Sequence, residues 1–195
     1  MNKLYVIGIG PGEYEQMTLK AIHAMEKSEV IIGYTVYVDL VKEHFPGKEF
    51  LTTPMKKEVD RCVMAFEEAK KGKVVSMICS GDAGVYGMSG LMYEVGVNYP
   101  EVELEIIPGV TAATGGAAVL GAPLIHDFCL ISLSDLLTPW EKIEARLLAA
   151  AEADFVVCLY NPSSRKRSDY LQKACDLMMQ YKSPETVCGT VCNIG

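Results

Sequence analysis

Residues 73–88, KVVSMICSGDAGVYGM, constrain the fold more than any other stretch. Val74 to Cys79 is an almost unbroken apolar run with the length and β-branched content of a strand buried on both faces, as in parallel sheets. It breaks into Ser80-Gly81-Asp82-Ala83-Gly84, and a helix-compatible apolar segment follows from Val85. A parallel strand running into a glycine-rich turn and then a helix is where open α/β sheets hold their ligands, outside the carboxyl ends of the strands. Glycine lets backbone amides approach a ligand, and Asp82 offers an acceptor for hydroxyl or ammonium donors. The pattern predicts an α/β enzyme that binds a small-molecule cofactor against this turn.

Composition narrows the ligand classes. The 195 residues are 50% apolar, enough for a core in one large domain or two small ones. A net charge of −7 argues against nucleic acid, whose phosphates require a surplus of Lys and Arg, but leaves room for an anionic small molecule on a local basic patch. No apolar run approaches the ~20 residues of a membrane span. The opening MNKLYVIGIG enters a strand pattern without a signal-peptide cleavage site, so a cytoplasmic location is expected. None of the seven cysteines forms a C-x-x-C pair. Cys79, Cys129, Cys158 and Cys188 lie in or beside apolar runs, where a free thiol acts as a small buried hydrophobe. Cys188 and Cys192 are four apart, but with histidines only at 23, 44 and 126 no closed ligand set is visible and no metal site is expected.

The chain then reads as alternating strands and helices. Lys3 to Ile9 predicts a first buried strand. Thr18 is placed to cap a helix with Leu19, Ile22, His23 and Met25 roughly on one face. A strand follows over 29–33 and a helix over 36–45, stopped by Pro46-Gly47. Residues 58–71 predict a helix with Val59, Cys62, Val63 and Phe66 inward, closed by Gly72. A strand over 103–107 leads through Pro108-Gly109 to an Ala- and Gly-rich helix from Thr111. The second half repeats the alternation: strands at 128–133, 155–160 and 186–192, and helices at 139–151, with Pro139 in its first turn, and at 167–181. The boundary is set at 120/121, giving an α/β domain over 1–120 and a second over 121–195. Because the chain stops at a strand exit, a missing C-terminal portion is expected.

Gly8-x-Gly10-Pro11-Gly12 first suggests a dinucleotide fingerprint and fails it. The third glycine falls at Glu13, and the second strand ends in Gly33-Tyr34 without an acidic residue for a ribose. The segment is either a plain strand-to-helix turn or one shaped for a bulky ligand to sit over. The same choice stands for Ser80–Gly84, and Thr111 in Pro108-Gly109-Val110-Thr111 reads equally as a helix cap.

Together the stretches GIGPG (8–12), SGDAGVYGM (80–88) and PGVTAATGGAAVLGAPLIHDF (108–128) resemble the tetrapyrrole methylase family over the whole chain. GYTVYVDLV (33–41), SLSDLLTPWEKIE (132–144) and LYNPSSRKR (159–167) narrow the resemblance to the branch that methylates C17 of precorrin-3B or cobalt-factor III in cobalamin biosynthesis, with ring contraction. The resemblance implies two α/β domains, each a sheet with flanking helices, with S-adenosylmethionine or S-adenosylhomocysteine in a cleft between them. Carried over residue by residue, it puts Pro11 at the base of the site, Ser80, Gly81, Asp82 and Val85 around the methionine part, Thr111 and Ala112 beside the cofactor, and Tyr160 and Gly195 toward the adenine. It also implies a homodimer.

Ring contraction needs proton transfers, so a general acid or base is expected. Asp135, His126 and Asp127 are candidates by their place in these stretches, although Asp135 could instead serve the start of the next helix and His126 could be structural. Arg165, Lys166 and Arg167 suit the acetates and propionates of a tetrapyrrole, with Tyr34 and Tyr37 as a flat wall. The alternatives are another corrin-ring position, a diphthine synthase-like reaction on a protein, or a cofactor- or tetrapyrrole-binding module without turnover.

Overall fold

The structure is a computed structural model, and it describes residues 2–164, 167–192 and 194. Its contacts divide into two units: residues up to Gly115 together with Cys192 and Ile194, and Gly116–Val191.

The first unit is built on a five-stranded sheet. Its strands are β1 (Asn2–Gly8), β2 (Val30–Tyr34), β3 (Glu49–Thr53), β4 (Val75–Cys79) and β5 (Val102–Ile107), in the spatial order β3-β2-β4-β1-β5. All neighbours are parallel, with Leu4 opposite Val75 and Gly8 opposite Cys79 in the central pair. Alternation along the strands feeds two cores, as the two-residue period requires. Leu4, Val6, Val30, Ile32, Val75 and Met77 pack on one face with Cys62, Ala65, Phe66 and Ala69 of α3 (Glu58–Lys70) and Met92 of α4 (Ser89–Gly96). Ile7, Ile31, Ile78 and Ile107 pack on the other with α1 (Leu19–Lys27) and α2 (Thr35–Val41). Two buried serines in this layer satisfy each other, the hydroxyls of Ser76 and Ser28 lying 2.6 Å apart.

Several element limits differ from the sequence reading. Thr18 caps α1 as expected, its hydroxyl accepting from the Ala21 amide at 3.2 Å. The buried side of α1 is Ala21, Ile22, Ala24 and Met25, while Leu19 is 72% exposed and His23 also faces solvent. In α3 the inward residues include Arg61, and Val59 is 54% exposed. The strand β3 is unannounced by the sequence: EFLTT is short and lies at the sheet edge, where a one-sided pattern is weak. α4 begins at Ser89, not at Val85, because Tyr86 takes a positive φ of 52° and interrupts the helix path.

Helix α5 (Ala112–Val119) carries the chain from one unit into the next. The second unit holds the parallel pair β6 (Phe128–Ser132) and β7 (Val156–Tyr160), with α6 (Trp140–Glu152) and α7 (Tyr170–Met178). Ile131, Leu133, Ile143, Leu147 and Ala174 form its core. α6 begins at Trp140, one residue later than expected, so Pro139 is its N-cap and not its first helical residue, and α7 is shorter than 167–181. The strand expected over 186–192 is not formed: this segment is irregular, and Val187 is 95% exposed. Among the described residues no helix is long and apolar enough to cross a membrane.

Candidate functional site

The chemistry-bearing residues of the first unit gather at the carboxyl edge of its sheet. Three strand exits meet there. The Ile9 amide donates to the Cys79 carbonyl at 2.9 Å, and Gly10 and Gly81 exchange two backbone hydrogen bonds of 3.0 and 2.8 Å. Both glycines hold a positive φ, 76° and 67°, which other residues rarely adopt. The packing is tight enough to exclude side chains. A Cβ on Gly8 would lie 2.5 Å from the Gly81 oxygen, and one on Gly109 would lie 2.2 Å from that oxygen and 2.5 Å from the Gly8 oxygen.

Asp82 locks this junction. Its Oδ1 accepts from the amides of Gly84 at 2.7 Å and Val85 at 3.0 Å, and its Oδ2 accepts from the Gly109 amide at 2.9 Å. The carboxylate thus ties the turn after β4 to the turn after β5. Beside its expected part as an acceptor for a ligand's hydroxyl or ammonium donors, the carboxylate is a clamp on the backbone: three of its roughly four acceptor positions are taken by amides. Gly81 lies against the start of α5, with the Ala112 nitrogen 3.7 Å and the Thr111 Cα 3.8 Å from its Cβ direction. Pro11 comes to the same helix, 3.4 Å from the Cβ direction of Gly115.

At the far side of this edge, Tyr34 and Thr53 end β2 and β3 as a register pair. Tyr34 meets Tyr37 edge to face, with centroids 5.4 Å apart at 85°. Arg61 reaches over them from α3. Its Nε donates to Thr53 Oγ1 at 2.8 Å and its Nη2 to the Pro54 carbonyl at 3.3 Å, with the guanidinium carbon 6.0 Å from the Tyr34 ring centre. Burial pushes the neighbouring thiols of Cys62 and Cys79 up to about 11, so both are protonated at neutral pH.

In the second unit a polar cluster follows the carboxyl ends of β6 and β7. Asp135 accepts from the Tyr170 hydroxyl at 2.6 Å and lies 3.8 Å from Arg167 Nε. Arg167 also donates to Ser164 Oγ and to the Leu133 carbonyl, each at 3.2 Å. The Asp135 carboxylate raises the Tyr170 pKa by accepting its proton in a hydrogen bond. Tyr160 ends β7, where its carbonyl accepts from the Leu133 amide at 2.8 Å.

The sequence model of the Tetrapyrrole (Corrin/Porphyrin) Methylases matches residues 3–195. The chain belongs to the tetrapyrrole methylase family. Among its relatives, a "Probable cobalt-factor III C(17)-methyltransferase" of Salmonella typhimurium is 51% identical over 193 residues, 98% of this chain and 80% of that protein. A "Cobalt-factor III methyltransferase" of Priestia megaterium is 48% identical, covering 97% of this chain and 36% of that protein. The crystal structure of the methyltransferase CobJ superposes with a TM-score of 0.87 at 36% identity, covering 94% of this chain and 78% of that one.

Within this family fold, the residues expected around the cofactor from the first unit, Pro11, Ser80, Gly81, Asp82, Val85, Thr111 and Ala112, lie on one edge. Tyr160 lies in the second unit, and Gly195 and Arg165 fall outside the described residues. The three acid–base candidates are not brought together. His126 and Asp127 are exposed and precede the amino end of β6, whereas Asp135 follows its carboxyl end. Ligands of parallel sheets bind at the carboxyl ends, so the position of His126 and Asp127 argues against a catalytic part. Arg167, expected at the substrate, directs its Nε toward Ser164 and Asp135 and its Nη1 to the Leu133 carbonyl. Sequence reasoning passed over Arg61, because an Arg in an amphipathic helix ordinarily marks the solvated face. Only its place one residue before Cys62 on the inward stripe hints otherwise. Among the described residues no cluster of His, Cys, Asp or Glu could hold a metal ion.

Proposed function

We propose that this tetrapyrrole methylase transfers a methyl group from S-adenosylmethionine to C17 of precorrin-3B or cobalt-factor III, with ring contraction, as a cytoplasmic homodimer. The observation that carries the reading is the junction of Gly8, Gly81 and Gly109, which locks three strand exits into one rigid edge. The edge fits the cofactor: beside the clamp the chain offers the small residues Ser80, Gly81, Gly84 and Ala112, so a ligand can reach backbone groups. Gly81, Val85, Thr111 and Ala112 would hold the methionine part and Pro11 would floor the site. S-adenosylmethionine bound there supplies an electrophilic methyl group on a sulfonium.

What the chain itself contributes is position. A rigid edge holds donor and acceptor atoms in line, and fixed geometry of this kind lowers a barrier without any covalent step by the protein. Asp82 acts through the backbone: by accepting three amides it fixes the course of residues 82–85 and of Gly109. Asp135, held between Tyr170 and Arg167, is the carboxylate we retain as the proton-transfer candidate, with Tyr170 as its hydrogen-bonded partner. The test is incubation with labelled S-adenosylmethionine and either corrin precursor, with products read by mass spectrometry. A labelled, ring-contracted product supports the proposal; a product methylated without contraction would redirect it to another ring position. Sedimentation of the purified protein tests the dimer, and a monomer at all concentrations would remove it.

A further inference from the structure

We infer that Arg61 is an anion-binding residue that holds one peripheral carboxylate of the tetrapyrrole substrate at the carboxyl end of β2 and β3. The inference rests on the methylase reading above and assigns that substrate a contact.

Arg61 is only 5% exposed, and a guanidinium cannot shed its charge at any physiological pH. A buried charge is costly unless an opposite charge and hydrogen bonds offset it. Arg61 has the hydrogen bonds without the charge. Its partners, Thr53 Oγ1 and the Pro54 carbonyl, are neutral, and the Tyr34 ring adds a cation–π contact. Among the described residues no carboxylate lies within 4 Å of it. The acids nearest in its own helix are engaged elsewhere: Asp60 pairs with Lys57 at 2.9 Å, and Glu58 accepts from the Lys56 amide at 3.2 Å.

The neutral partners also fix the fork. With Nε and one Nη2 hydrogen used, three N–H groups on Nη1 and Nη2 remain, the set that grips a carboxylate in two parallel bonds. The location suits a ligand, since Tyr34 and Thr53 are the paired last residues of their strands, on the same sheet edge as the Gly10–Gly81 junction. Tyr34 and Tyr37 stand beside it as an aromatic pair for an apolar macrocycle face. A flat, carboxylate-rimmed ligand matches both features at once.

The experiment compares wild type with Arg61→Gln and Arg61→Met. Uroporphyrin, which carries eight free carboxylates, and its octamethyl ester serve as fluorescent probes, alongside S-adenosylhomocysteine calorimetry, thermal melting and KM for the corrin precursor. Wild type should prefer the free acid. Both variants should lose that preference, bind uroporphyrin at least about tenfold more weakly and show a raised KM. Their S-adenosylhomocysteine affinity should stay within about twofold. Their melting temperatures without ligand should equal or exceed that of wild type, because an uncompensated charge has been removed. Unchanged uroporphyrin binding, parallel loss of S-adenosylhomocysteine binding, or a lowered melting temperature in both variants would overturn the assignment and leave Arg61 a brace for Thr53 and Pro54. Wild type that transfers methyl to corrin precursor while the variants do so equally well removes only Arg61. Wild type that methylates no tetrapyrrole removes the functional reading and this inference with it.

Discussion

Asp82 shows how one side chain can matter to a site through the backbone it holds. Three backbone amides converge on its carboxylate, so Asp82→Ala should lower both melting temperature and S-adenosylhomocysteine affinity, with a stability loss of about 1–3 kcal/mol, the cost of leaving a partly buried donor unpaired. Asp82→Asn keeps one acceptor oxygen and sets an NH2 group against an amide, and should fall between the two. Thermal melting and calorimetry check this, and an Asp82→Ala protein that melts like wild type would contradict the clamp. The cysteines give a second test at this scale. Burial holds Cys62 and Cys79 as thiols well above neutral pH, while Cys188 and Cys192 are exposed. A thiol reagent at pH 8 should therefore label Cys188 and Cys192 quickly in the native protein and spare Cys62 and Cys79 until it unfolds. Peptide mapping after a short pulse reads the difference, and equal labelling of all four would contradict it.

Elements were legible where burial and periodicity agreed. VSMIC is buried at every position, and its strand, its turn and the parallel sheet around it could be read from residues 73–88 alone. The glycine turns could be seen as turns, but not that Gly8, Gly81 and Gly109 pack against each other, because spacing along the chain carries no information on approach across a sheet. The same gap explains the errors. TVCGTVC over 186–192 has the composition of a strand, yet a strand also needs a neighbour to pair with, and none is formed there. EFLTT carries little strand signal because an edge strand buries little. The expected inward face of residues 58–71 differs at Val59 and Val63, both exposed, while Arg61, for which the pattern predicts no place, lies inward. Paired glycine substitutions separate close packing from chain flexibility. Gly109→Ala drives a methyl group into two backbone carbonyls and should cost about 1–3 kcal/mol or more, with weakened cofactor binding. Gly90→Ala, in α4 with nothing near its Cβ direction, should stabilise by about 0.5–1 kcal/mol. Denaturant melts distinguish the two, and a tolerated Gly109→Ala would contradict the junction.

At the scale of the whole molecule, charge ties the edge of the sheet to its neighbours. Lys3 on β1 bridges Glu103 and Glu105 of β5, and Lys20 of α1 joins Glu105 at 2.8 Å. Hydrogen bonds from Lys20 and Lys3 lower the Glu105 pKa from 4.5 to about 2. A carboxyl depressed on folding contributes stability that is fully present above its unfolded value and is lost as pH falls toward the folded value. Acidification from about pH 5 to pH 2 should thus lower the melting temperature. Glu105→Gln should flatten part of that slope, and added salt should shrink the difference because the network is partly exposed. A Glu105→Gln slope identical to wild type would remove this network from the acid response. The whole-molecule claim is that a rigid, glycine-locked sheet edge presents a methyl donor to a carboxylate-rimmed corrin precursor. The measurement that tests it most directly is mass spectrometry of the corrin product after turnover with methyl-labelled S-adenosylmethionine and cobalt-factor III or precorrin-3B. The account predicts a product carrying one labelled methyl at C17 on a contracted ring; recovery of both precursors unlabelled, by protein shown to bind S-adenosylhomocysteine, would contradict it.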